Sequence, residues 1–290
     1  MCRLVAGRSW GREGSRLLGE LVGLVAEAAA GDPYLKAVTG GEDRHCHGYG
    51  FIVVYRSPSG GWRLVYERFD ALSGGLGEEE ACRANLEASR GAAERLRGLL
   101  ATVDEALVVF HVRRAGRGEP RGSLNAHPYR VEAFPPGGYV EAYLAHNGGL
   151  VKEGLARELG VNAPAYTDSH LLAIRIARRL AAGVDASTAL AEGFAHAKSG
   201  YDVALVVVED KLRGINASLW LAAGMAGGLD EARRKYYEPV LFHAAAAAGY
   251  VSSTVRDLAV ERGVNASFEE ARPGVYRVDG GRGAVFVRGF

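Results

Sequence analysis

The feature that most restricts the fold is the grouping of strand-length apolar segments. They come in sets separated by pairs of helical patterns, without strict strand–helix–strand alternation. Residues 2–7 read as a short buried strand closed by glycine. Leu17, Leu18, Leu21, Val22 and Val25 then recur at helical spacing, and Gly31-Asp32-Pro33 stops that helix. Strands over 50–56 and 62–67 flank the turn Ser57-Pro58-Ser59-Gly60-Gly61, and 78–100 is a long amphipathic helix. Further strands are predicted over 106–113 and 139–146, with a polar, Gly- and Pro-containing loop between them. A helix capped by Thr167 or Asp168 runs to about 180, and a second, capped by Asp185 or Ser187, covers about 187–198. The remainder is strand-rich: 203–208, 217–222, 239–243, and a hairpin of 275–278 and 284–288 around Asp279-Gly280-Gly281-Arg282-Gly283. This order excludes a doubly wound parallel sheet and predicts an α+β domain of mixed sheets covered by helices, with residues 1–290 forming one domain.

Hydrophobic residues at 48% are ample for a sizeable core, and a net charge of +1 gives no reason to expect a polyanionic partner such as nucleic acid. No apolar run approaches the eighteen or so residues of a membrane span, and the first one stops at Gly7, too short for a signal-peptide core. Three cysteines (Cys2, Cys46, Cys82) cannot all pair, which fits a reducing compartment, so a cytoplasmic protein is expected. The chain contains no glutamine and favours Arg over Lys, a bias shared by thermophile proteins and GC-rich genomes.

Removal of Met1 would place Cys2 at the amino terminus. There the α-amine, with an ordinary pKa of about 7.7–8.0, sits beside a thiol of about 8.5, so one residue supplies both nucleophile and base. With Met1 retained, that nitrogen is locked in a peptide bond and the chain is expected to be inactive. His146-Asn147-Gly148-Gly149 closes an apolar strand and offers a side-chain amide and an unhindered backbone N–H, the two donors an oxyanion hole needs. Taken alone, the same residues read more readily as a plain Asn-Gly turn. Arg113, in His111-Val112-Arg113-Arg114, offers a planar fork for a carboxylate. Asp168, in Tyr166-Thr167-Asp168-Ser169, is either a helix cap or a carboxylate for a substrate ammonium. Adjacent His45-Cys46-His47, with Cys2 or Cys82, lacks the two-to-four-residue ligand spacing of a zinc site.

Taken in order, Cys2, His47-Gly48-Tyr49-Gly50, His111-Val112-Arg113, Asn125-Ala126-His127-Pro128, His146-Asn147-Gly148 and Asp168-Ser169-His170 resemble the glutaminase domain of class II glutamine amidotransferases. The closest look is to its stand-alone branch and to γ-glutamyl amide hydrolases of thiol metabolism. The resemblance implies a four-layer α/β/β/α sandwich of the N-terminal-nucleophile hydrolase type. It implies that Cys2 attacks the γ-carbonyl of glutamine or a γ-glutamyl compound to form a thioester. Asn147 and the N–H of Gly148 would hold the oxyanion, Arg113 the α-carboxylate and Asp168 the α-ammonium. No cofactor or metal is implied; a partner synthetase would receive the ammonia. The departures are His47 for an acidic residue and Tyr49 for Trp, which would alter the wall near the nucleophile, together with Gly116 for Thr and His170 for Glu. The alternatives within this frame are a γ-glutamyl amide or peptide hydrolase and an inactive binding module of a synthetase complex. Arg117 and Arg121 are read as solvated loop arginines.

Overall fold

The computed structural model describes residues 2–57, 59–211 and 214–290. Met1 and Pro58, the latter in the turn expected after residue 56, lie outside the described residues, as do Leu212 and Arg213. The first half of the chain forms β1 (Cys2–Trp10), α1 (Arg12–Ala30), α2 (Pro33–Thr39), β2 (Tyr49–Arg56), β3 (Trp62–Phe69), α3 (Glu78–Leu100) and β4 (Glu105–Arg113). The middle adds β5 (Tyr129–Ala133), β6 (Val140–Leu150), α4 (Lys152–Leu159), α5 (Asp168–Ala181) and α6 (Ala186–Gly193). Then come β7 (Ala197–Lys211), β8 (Gly214–Ala223), α7 (Glu231–Tyr236), β9 (Pro239–Ala244), β10 (Ala247–Ser252), α8 (Ser253–Glu261), β11 (Ser267–Glu270), β12 (Gly274–Asp279) and β13 (Gly283–Arg288).

The strands make a seven-stranded sheet in the order β11-β9-β10-β1-β4-β2-β3 and a six-stranded sheet in the order β13-β12-β8-β7-β6-β5. Because side chains alternate along a strand, each sheet carries two apolar faces. Leu4, Ile52, Val109, Tyr143, Val206 and Leu221 meet between the sheets. Val5, Val53 and Val108 point the other way, onto Leu21 of α1, Leu96 of α3 and Val255 of α8. Leu144 and Leu205 of the second sheet pack on Leu155 of α4, Leu172 of α5 and Leu190 of α6. The result is the expected α+β sandwich of four layers, helices outside and two sheets within. Fully burying a Val or Leu at each such position contributes about 1.5–3 kcal/mol.

Residues 201–290 supply strands to both sheets, so they complete the sandwich rather than forming a lid. Sequence patterning missed several elements. α2 is capped by Asp32, whose carboxylate accepts from the Tyr34 and Leu35 amides, so the residues that stop one helix also start the next. β10 lies in an alanine run with weak strand propensity. It forms because β1 and β9 flank it, and a Cβ at Gly249 would fall 2.0 Å from the Ala6 carbonyl oxygen. β5, α4, α7, α8 and β11 are likewise elements decided by neighbours. Ala197 and Lys198, expected in a helix, open β7 instead.

One cysteine expectation needs correction. Cys46 and Cys82 form a disulfide with a Cα–Cα distance of 4.8 Å, and Cys2 is the free thiol. The odd count therefore reflects one bridge beside one free thiol rather than the unbridged cysteines of a reducing compartment. Among the described residues no helix is long and apolar enough to cross a membrane.

Candidate active site

Cys2 stands at the head of β1, directly opposite Arg113 at the end of β4. Strand alternation sends Cys2, Leu4, His111 and Arg113 to the face between the sheets. On β6 the same alternation sends Tyr143, Ala145 and Asn147 to that face, and His146 to the helix side, where its Nδ1 lies 2.9 Å from Ser169 Oγ of α5. The Cys2 backbone nitrogen accordingly donates to Asn147 Oδ1 at 2.9 Å across the two sheets. Asn147 Nδ2 in turn donates to Asp202 Oδ2 at 3.2 Å.

The reading of these residues as a plain Asn-Gly turn is overturned. β6 runs through to Leu150, and beyond Leu144, where its pairing with β5 ends, it pairs with β7 alone, with an irregularity between Gly148 and Leu150. Such bulges re-aim backbone groups. A Cβ at Gly148 would sit 1.7 Å from the Gly200 carbonyl oxygen, so only glycine fits.

Beneath the strand end, Arg3 points to the helix side and is fully buried. Its Nε donates to Asp32 Oδ2 at 2.6 Å, and its guanidinium lies 4.1 Å from the Tyr236 ring centroid. Asp32 also accepts from Thr254 Oγ1 at 2.7 Å and lies 2.7 Å from His45 Nε2. Burial alone would raise the Asp32 carboxyl, but Arg3 and His45 hold it well below the usual carboxylate range. The Tyr236 hydroxyl donates to the Cys2 carbonyl at 3.3 Å, completing a grip on the Cys2 main chain. Asp32, Tyr236 and Asp202 were not singled out from sequence. Each is an isolated polar residue whose partners lie far away along the chain. Burial pushes the Asp202 carboxyl well above its ordinary value, and the Asn147 hydrogen bond offsets only part of that.

Cys2, Arg113, Gly148 and Asp168 line one cavity of about 350 Å³, and Asn147 backs it through its bond to Cys2. Arg113 donates through Nη2 to the Pro120 carbonyl at 2.9 Å, while its buried Nη1 has no partner. Asp168 accepts from the Leu150 amide at 2.8 Å and the Ser169 amide at 2.7 Å; the cap of α5 is Thr167, not Asp168. A carboxylate has about four acceptor sites, so Asp168 keeps capacity for a ligand. A larger groove of about 910 Å³ lies on the outer face of α1 and α3 and contains no nucleophile. Burial by itself would raise the Cys2 thiol, but the positive charge of the amino terminus of the chain that starts at Met1 and then His111 bring it well below its ordinary value; the first of these charges is lost when Cys2 opens the chain with a neutral amine.

Other expectations fare unevenly. Tyr49 packs on Phe69 and Phe110 on the helix side, so it is not a wall of the cavity. Gly116 does line it, and His170 stacks on Tyr129 at 4.6 Å. Arg121 is paired with Glu78 rather than solvated, whereas Arg117 is exposed at the cavity. His45, Cys46 and His47 face three different environments, which removes them as a joint metal site: an Asp32 contact, a disulfide, and the Ala115 amide, which donates to His47 Nδ1 at 3.0 Å.

His47 is pulled down to about 4, by burial first and then by Arg121 and Arg113. A depressed histidine stabilises the fold fully above its unfolded value of about 6.5 and loses that contribution as pH falls towards 4. Denaturant unfolding across this range should show the wild type losing stability as pH falls. His47→Asn should show a slope shallower by up to about 1.4 kcal/mol per pH unit. Identical slopes would mean that His47 titrates normally.

No family model matches the chain, and no curated protein matches it. Among solved structures it is similar to glutamine phosphoribosylpyrophosphate (PRPP) amidotransferase from B. subtilis, complexed with ADP and GMP, at 17% identity and a TM-score of 0.54. The likeness covers 98% of this chain and 49% of that one, so the chain spans about half the length of its structural relative. At that identity the likeness is one of fold, and the fold is the expected sandwich: an α/β/β/α architecture with Cys2 opening a central strand.

Proposed function

We propose that residues 1–290 form a single class II-type glutaminase domain that cleaves a γ-glutamyl amide through a Cys2 thioester. The observation that carries this reading is the convergence of Cys2, Arg113, Gly148 and Asp168 on one cavity, with a buried Arg113 nitrogen left for a ligand. With Met1 removed, the nitrogen that Asn147 Oδ1 accepts from is the α-amine, held next to its own thiol. The amine takes the thiol proton, Sγ attacks the γ-carbonyl carbon, and the oxyanion is met by the Gly148 N–H and the second hydrogen on Asn147 Nδ2. The C–N bond breaks as the leaving nitrogen takes the proton, and water then hydrolyses the thioester to glutamate. Arg113 and Asp168 hold the α-carboxylate and α-ammonium.

For free glutamine the product is ammonia for a partner synthetase. A γ-glutamyl compound with an acidic leaving group is the second reading, because exposed Lys198 and Arg117 line the same cavity beyond the single carboxylate that glutamine carries. We place the protein in the cytoplasm; a disulfide there is the habit of intracellular proteins of hyperthermophiles. The test is glutamate release from L-glutamine and a panel of γ-glutamyl amides and peptides. Release from glutamine supports ammonia supply, and release only from substituted compounds supports the hydrolase. No release with Met1 shown by mass to be absent would overturn both and leave the binding module.

Arg113→Lys keeps the charge but loses the fork. KM should rise about 10- to 100-fold in steady-state kinetics, with a smaller fall in kcat, matching the loss of a charge-assisted bidentate contact. A change confined to kcat would remove Arg113 from substrate binding.

A further inference from the structure

Beside the cavity, one ligating atom each of Cys2, His111 and His127 lies within 4.8 Å of the others, and all three residues are buried. Apart from the Cys2 thiol that His111 faces, no ring nitrogen of His111 or His127 has a hydrogen-bond partner. Buried polar atoms are almost always satisfied, so two imidazoles left with nothing but one thiol are a chemical demand. The two rings lie 4.3 Å apart and are tilted by 44°. His111 comes from β4, opposite Leu4 of β1, and His127 from the loop before β5, so no sequence spacing announces the cluster.

We propose that Cys2 Sγ, His111 and His127 form a three-ligand site for a zinc-class divalent cation, open on its fourth position to the cavity. One sulfur and two imidazole nitrogens are the donor set that such borderline-soft cations prefer, and the absence of oxygen donors disfavours calcium and magnesium. Bond lengths of about 2.3 Å to sulfur and 2.0–2.1 Å to nitrogen put tetrahedral ligand atoms roughly 3.5 Å apart. The three side chains therefore close in by about 1 Å through small χ rotations. Binding forms the S–metal bond and releases the thiol proton to solvent, with no change of oxidation state. The nitrogens have no outer-sphere acceptors to fix their rings, which suits a reversible site rather than a structural one. Cys2 and His127 line the cavity, so water or a ligand can take the fourth position. Since Sγ is also the proposed nucleophile, a bound cation silences it; only this consequence rests on the hydrolytic reading.

The test uses the full chain stripped of metal. Cobalt titration should give a sulfur-to-cobalt charge-transfer band at one equivalent that is lost in Cys2→Ser. Zinc competition against a chromophoric chelator should show affinity weakened by at least about 10-fold in His127→Asn, and likewise in His111→Asn. Circular dichroism and melting curves establish that each variant is folded, and Cys2→Ser alone suffices should the histidine variants unfold. Absence of the cobalt band, or zinc affinity unchanged in every folded variant, overturns the site. Glutamate release measured on the same samples separates the two ideas. Stoichiometric zinc binding with no release from metal-free protein, its Met1 shown by mass to be absent, overturns the hydrolytic reading alone. Release undiminished at one bound zinc overturns the shared use of Cys2.

Discussion

Replacing Cys2 with alanine should lower glutamate release by at least about 10⁴-fold, while leaving the melting temperature close to that of the wild type. The magnitude follows from the chemistry: no other described thiol is free, since Cys46 and Cys82 are bonded to each other. A small residual rate from substrate binding and the oxyanion donors is all that remains when a nucleophile is deleted. The fold should tolerate the change because Cys2 keeps its backbone bond to Asn147 and its pairing with Arg113. A companion sample with Met1 retained should be as inactive as Cys2→Ala, although its thiol is intact, because its nitrogen is an amide and not a base. Intact mass on each preparation assigns the form. Full activity in the Met1-retained form would overturn the amine as base, and undiminished activity in Cys2→Ala would overturn the site itself.

Asp32→Ala should destabilise the protein by about 3–5 kcal/mol, the usual effect of removing one partner from a buried ion pair. Asp32 and Arg3 are both fully buried, and the carboxylate also engages His45, Thr254 and the first amides of α2. Its loss leaves the Arg3 charge without an anion in a dry site and uncaps a helix. Urea unfolding at neutral pH measures the effect, and a loss below about 1 kcal/mol would mean that the network relaxes without strain. The sign with pH follows from the depressed carboxyl. Its stabilisation is complete above the ordinary aspartate value of about 4 and is lost as pH falls below it, so Asp32→Ala should flatten that part of the acid profile. Release of glutamate should fall as well, because Arg3 follows Cys2 and positions its main chain.

The legible part of this protein is what local chemistry controls. The helix over Glu78–Leu100 is read to the residue because its amphipathic period runs uninterrupted. Strands β2 and β4 are read to within a residue at either start, since both faces are buried and each strand is a nearly continuous apolar run. Cys2, Arg113, Gly148 and Asp168 are legible as candidates because nucleophile, fork, unhindered amide and carboxylate are residue-specific jobs. Asn147 is legible too, but its setting is not: a sequence of Asn-Gly-Gly reads as a turn, and only pairing with β7 keeps it in an extended strand.

The sequence by itself determined the two periodicities and hence the layers, the candidates for the reactive groups, and the helix stops and caps. Tertiary structure alone decided that Cys46 meets Cys82, that Asp32 neutralises Arg3, and that Cys2, His111 and His127 converge. The reason is physical. Periodicity and capping act over a few residues, where the chain's own geometry dictates which side chains meet. Pairing a charge, a thiol or an imidazole with a partner tens or hundreds of residues away depends on sheet order and register, which are settled only when the whole core packs.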